Sequence, residues 1–163
     1  MVASWRPGDA VLDEEATAER AMQDGLWWPV TVPNRERWLD LTLVVDDGPS
    51  MSLWRSQCAA FAAALLQLGA FRTIQTRLLD TRSTDGMPTA PVMHGATSGT
   101  HARDPDEILD PSGRRIVIVL TDGVGDAWRH DVTGPVLARW ATSMPVAVVN
   151  LLPQRLWPRT GLA

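Results

Sequence analysis

Leu41-Thr42-Leu43-Val44-Val45-Asp46-Asp47-Gly48-Pro49-Ser50-Met51 is the stretch on which the fold turns. Its apolar, β-branched first half reads as a strand buried on both faces, as in a parallel sheet, and Asp47-Gly48-Pro49-Ser50 then breaks the strand and opens a helix. A second run, Ile116-Val117-Ile118-Val119-Leu120-Thr121-Asp122-Gly123, repeats the plan. Ligands of open parallel sheets gather outside the carboxyl ends of the strands, so Asp46, Ser50 and Asp122 are expected at one shared face. Carboxylate and hydroxyl oxygens are what hard divalent cations take, magnesium keeping several waters beside a few protein oxygens. The two runs therefore point to a metal-type site.

Working outward, the spacing Trp54, Cys58, Phe61, Leu65, Leu68 predicts a helix whose apolar stripe faces the sheet, with Ser50 as its N-cap and Gly69 at its exit. Phe71 to Leu79 reads as a strand, and Asp85-Gly86 as a turn returning Ala90 to Met93 antiparallel beside it. A polar stretch from His94 to Pro111, with one helical turn at Asp106 to Leu109, leads to the strand Ile116 to Asp122. Helix Thr133 to Thr142 and a buried parallel strand Val146 to Leu152 follow. Before the core, Asp13 to Gly25 is a charged helix, and Trp27 to Val32 a short extended piece ended by Pro33.

The 163 residues suit one domain with its own core. The formal net charge of −4 disfavours a nucleic-acid or anionic-membrane surface. Lys and Tyr are absent, a bias of a GC-rich genome rather than of function. A single cysteine, Cys58, allows no internal disulfide, and no apolar run reads as a secretory signal or a membrane span, so the expected location is cytoplasmic.

Asp46 to Met51 resembles the Asp-x-Ser-x-Ser motif of von Willebrand factor A (vWA) domains, and Leu120 to Gly123 resembles their second acidic motif. The resemblance spans roughly Trp38 to Leu152, and more narrowly touches vWA-like domains of large regulatory or defence-associated proteins in GC-rich bacteria. It implies an α/β fold, a Rossmann-like three-layer sandwich with a mostly parallel central sheet and an antiparallel edge hairpin. The division implied is an N-terminal extension at 1–36, the vWA-like domain at 37–155 and a tail at 156–163. It also implies a metal-ion-dependent adhesion site. Asp46 stands as the first Asp, Ser50 as the second Ser, Asp122 as the second Asp, and Thr100 or Thr97 as the loop Thr. Gly48 occupies the place of the first Ser, so Mg2+ would bind weakly and Gly48→Ser would strengthen it. No segment after Leu152 reads as the family's usual last strand and helix, and Trp27 to Val32 is the candidate for that vacant edge.

Other motifs read as ordinary. Gly123-Val124-Gly125 lacks the rest of a phosphate loop, and His94, His101 and His130 have no metal-ligand spacing. Asp47 reads as a solvated turn residue, and Trp27, Trp28, Trp140 and Trp157 as packing residues. Trp54 and Trp128 follow the two acidic motifs closely enough to border a binding face, Trp54 with core packing as its first role. The leading functional expectation is a protein-interaction module, not an enzyme, that engages a partner Asp or Glu within a regulatory assembly. A metal-free scaffold of the same fold is the alternative, and a metal-dependent phosphohydrolase the third.

Overall fold

The computed structural model describes residues 5–83, 87–95 and 101–162, and divides into two compact units, Met1–Trp38 and Leu39–Ala163. In the first unit, strands β1 (Trp5–Leu12) and β2 (Thr31–Arg37) pair antiparallel, and helix α1 (Glu14–Asp24) lies between them in the chain. Asp13 caps α1 by accepting from the Ala16 N–H at 2.9 Å, and Gly25 ends it at φ 65°. Thr17, buried, ties the helix to the residue just before the second strand, its hydroxyl accepting from the Val30 N–H at 2.9 Å.

The extended piece expected at Trp27 to Val32 is instead a strand that begins at Thr31 and runs through Pro33. Proline is tolerated there because both strands of a two-stranded ribbon are edges, with N–H positions that need no ladder partner. The partner of this strand is β1, which the sequence pattern had not revealed, so it fills no vacancy in the larger sheet. Trp27 and Trp28 are 70% and 61% exposed, against the expectation of packing; a ribbon and one helix provide no second layer over them.

The second unit is an α/β fold built on a five-stranded, mostly parallel sheet. Its strands are β3 (Asp40–Asp46), β4 (Thr73–Asp80), β5 (Val92–Gly95), β6 (Arg115–Thr121) and β7 (Val146–Asn150), in the order β5-β4-β3-β6-β7. Only β5 runs antiparallel. The two acidic runs are neighbours, as expected, with Leu41 opposite Ile116 and Val45 opposite Leu120. The antiparallel return is also present; the Asp85-Gly86 turn assigned to it lies outside the described residues.

The pleat sorts alternate residues onto two cores. Leu43, Val45, Ile118 and Leu120 pack with Cys58, Phe61 and Leu65 of α2 (Arg55–Leu68). Val44, Val117 and Val119 pack on the other face with Val136 and Trp140 of α4 (Gly134–Ser143) and with Trp128 of the short α3 (Asp126–Arg129). The Trp140 indole donates to the Pro105 carbonyl at 3.1 Å, fastening α4 to the 3-10 turn Pro105–Ile108.

Four details depart from the sequence reading. A 3-10 helix, Pro49–Trp54, precedes α2, so Ser50 is not its N-cap. Leu68 drops out of the apolar stripe and is exposed, because α2 ends there at Gly69, φ 59°. Strand β7 is an edge rather than a buried strand, and Val148 is 39% exposed. Past the 3-10 helix Gln154–Arg159, the tail is not a loose end: Thr160 is buried and Leu162 packs against the α4-side core. Among the described residues no helix is long and apolar enough to cross a membrane.

Candidate functional site at the carboxyl end of the sheet

Because β3 and β6 are parallel neighbours, their last residues and the loops after them leave the sheet at the same end. Asp46 closes β3 and is 2% exposed. Its carboxylate receives donors from four segments of chain. Oδ1 accepts from the Thr81 hydroxyl at 2.5 Å and the Gly48 N–H at 2.9 Å. Oδ2 accepts from the Thr121 hydroxyl at 2.6 Å and the Trp128 indole N–H at 2.7 Å. Thr81 follows the end of β4, Thr121 is the last residue of β6, and Trp128 belongs to α3, so one carboxylate draws together three strand ends and a helix. A carboxylate removed from water needs such compensation, and an ionised carboxylate has about four lone-pair sites to fill. Here all four are taken.

The other expected site residues fall nearby but are not joined to Asp46. Asp122, also 2% exposed, turns onto its own loop and accepts from the Val124 N–H at 3.1 Å. Ser50 is half-buried and lines a cleft of about 350 Å³ together with Pro49, Thr81, Arg82, Ser83, Val124 and Asp126. Arg82 is committed to Asp80 through bonds of 2.8 and 2.5 Å, which hold the Asp80 carboxyl below its ordinary value. Ser83 reaches Asp126 at 3.3 Å across the cleft. Thr97 and Thr100, the alternatives for the loop ligand, lie outside the described residues.

The donor set fits a cation poorly. With four donors on Asp46, a metal bound directly to it would have to displace a hydroxyl, an indole or a backbone N–H. At Gly48, where the resemblance places a serine, an added Cβ would stand 2.9 Å from the Thr81 hydroxyl and 3.2 Å from Asp46 Oδ1. The Thr81 hydroxyl thus fills space a serine at position 48 would need. Among the described residues, no group of three or more His, Cys, Asp or Glu side chains is arranged to hold a metal ion.

Trp128 does not border a binding surface; it is 2% exposed and serves as a pin. The C-terminal segment secures it. The Gly161 N–H donates to the Gly123 carbonyl at 2.9 Å, and a Cβ at Gly161 would come within 2.2 Å of the Trp128 carbonyl oxygen. Gly123, at φ 65°, sits under Leu162 and Thr160 in the same way. Of the residues that sequence reasoning missed, Thr121 was visible beside Asp122, and Thr81 stands just beyond a predicted strand. Nothing in the local pattern marks Trp128 as a partner of Asp46.

The chain matches no protein-family model, no curated protein and no solved structure.

Proposed function

We propose that Leu39–Ala163 is a vWA-like protein-interaction domain that engages its partner at the carboxyl end of the sheet without a cation. One observation carries this reading: Asp46, in the place of the first metal-ligating Asp, has every acceptor site filled by internal donors. The order of strands and the shared end of the two acidic loops support kinship with the vWA architecture. The cleft lined by Ser50, Arg82, Ser83, Val124 and Asp126 is the docking surface in this reading. A partner there meets hydroxyls and charges on loops held from beneath by the Asp46 network, a rigid scaffold under variable loops. The setting that suits such a module is a multiprotein or multidomain regulatory assembly.

The test is affinity capture from native lysate, run with EDTA and with Mg2+, using wild-type protein and folded Ser50→Arg and Asp126→Arg variants. Recovery of one partner that ignores EDTA and fails with the cleft variants is the expected outcome. Recovery that requires Mg2+, and that Gly48→Ser strengthens, would return the domain to a metal-assisted mode. Full recovery by both cleft variants would move the interaction away from this end.

A further inference from the structure

A second concavity of about 350 Å³, sharing no lining residue with the carboxyl-end cleft, lies between α2 and strands β3 and β4. The register explains why it is open. Thr76 and Leu78 of β4 stand opposite Leu43 and Val45, so they continue the sheet face on which α2 packs. The core that α2 forms reaches over β3, β6 and β7, and the helix residues that line the groove include Ala59 and Ala62, too short to cover Leu78. Met51 and Cys58 complete a largely apolar wall.

Three charged side chains also line the groove: Asp46, Asp47 and Arg55. Asp46 has no acceptor site left. Asp47 uses its backbone N–H on the Leu79 carbonyl, while its side chain makes no hydrogen bond or ion pair among the described residues. It acts through space on Arg82, which is itself bonded to Asp80. The exposed Arg55 likewise has no hydrogen bond or ion pair among the described residues, and the two are not paired with each other. An apolar concavity of a few hundred cubic ångströms with a few convergent polar groups is the usual form of a small-molecule site. Here two of those groups, the Asp47 carboxylate and the Arg55 guanidinium, carry opposite charges and make no hydrogen bond or ion pair among the described residues.

We propose that this groove binds a small zwitterion with an apolar body, of which an apolar α-amino acid is the simplest member. Its carboxylate is received by the Arg55 guanidinium, its ammonium by Asp47, and its side chain rests against Leu78, Ala59 and Ala62. A simple anion would leave Asp47 facing a like charge, and a simple amine would do the same at Arg55; only a ligand with both charges answers both groups. The site is independent of the proposed partner surface and stands or falls without it.

Calorimetry on the full chain tests it, with L-leucine and L-phenylalanine as probes. Controls are 4-methylpentanoate, 3-methylbutylamine and glycine, which lack the amine, the carboxylate and the apolar body in turn. Binding of at least one amino acid is expected, with 4-methylpentanoate and 3-methylbutylamine each weaker by about tenfold or more, the worth of one charge-assisted hydrogen bond, and glycine weaker through the apolar contact it lacks. Arg55→Gln and Asp47→Asn should each weaken binding by a similar factor while leaving the thermal melt in place, and Ala59→Leu should abolish it by filling the groove. No heat with either amino acid in folded wild-type protein would overturn the assignment. So would equal affinity for 4-methylpentanoate or 3-methylbutylamine, or unchanged affinity in both charge variants.

Discussion

Asp40 and Asp46 stand at opposite ends of the same strand, both buried, and they are held in opposite ways. Asp40 meets a cation: Arg72 grips it with bonds of 3.0 and 2.6 Å, and the Thr73 hydroxyl adds a third at 2.6 Å. All of these come from the start of β4, and Arg72 is 52% exposed, so this end of the strand is closed by a clamp open to solvent. Among the described residues Asp46 is hydrogen-bonded by neutral donors alone, from residues 48, 81, 121 and 128. One carboxylate fastens a neighbouring strand; the other gathers the turn after its own strand, two neighbouring strand ends and a helix at the carboxyl end of the sheet. An exposed ion pair is weak because water and salt screen it, whereas a buried carboxylate removed from its donors leaves every one of them unsatisfied.

The largest effect should come from Asp46→Ala, which strands two hydroxyls, an indole N–H and a backbone N–H in a buried site. A loss of at least about 3 kcal/mol is expected in denaturant unfolding, and a loss no greater than that of Asp40→Ala would erase the contrast between the two ends. Trp128→Phe keeps the ring in the core and removes one donor to a charged group, for roughly 1.5–3 kcal/mol. If that variant melts with wild type, the indole bond is not a working part of the network.

Gly48→Ala sharpens the same point from the turn. Its φ of −62° permits any residue, so the expected cost of about 1–3 kcal/mol comes from crowding, first of the Thr81 hydroxyl and then of Asp46 Oδ1. Pairing it with Thr81→Ala, which removes the γ-oxygen the added Cβ would meet, would show whether the two positions compete for space. Relief of the Gly48→Ala penalty by Thr81→Ala is the sign of direct contact, and strict additivity would deny it.

The smallest effect belongs to Asp40→Asn, about 1 kcal/mol or less at neutral pH because Arg72 is half exposed. The Arg72 bond holds the Asp40 carboxyl below its ordinary value, so the unfolded chain takes up that proton first as pH falls. Its contribution is complete above the ordinary carboxylate range and disappears as pH drops through the lowered value. Asp40→Asn should therefore flatten part of the acid limb of the stability curve, leaving the part due to Asp80, which Arg82 lowers in the same direction. An acid limb identical to wild type would remove the Arg72 clamp from the account.

Much of the second unit was legible because its signals are local. A run such as Leu41 to Val45 has few ways to hide its apolar side chains except between two layers, and Gly69 could be read as a helix exit from its freedom at positive φ. Strand β1 was missed because Trp5 to Leu12 contains Pro7 and Gly8 and is bulged between Pro7 and Ala10, which hides the period of two. Trp27 and Trp28 were expected to pack because of their size, but burial needs a covering layer, and residue type alone does not supply one.

The sequence by itself determined that two apolar strands end in acid, that a helix follows the first, and that the architecture is α/β, since each of these rests on periodicity and turn chemistry within a dozen residues. Tertiary structure decided what the acid does. Thr81, Thr121 and Trp128 lie 35, 75 and 82 residues from Asp46 in the chain, and only the parallel register and the placement of α3 bring their donors to it. Whether a carboxylate at a strand end offers its lone pairs to a cation or spends them on its own scaffold depends on which donors the fold delivers, and those arrive from segments that no local pattern connects.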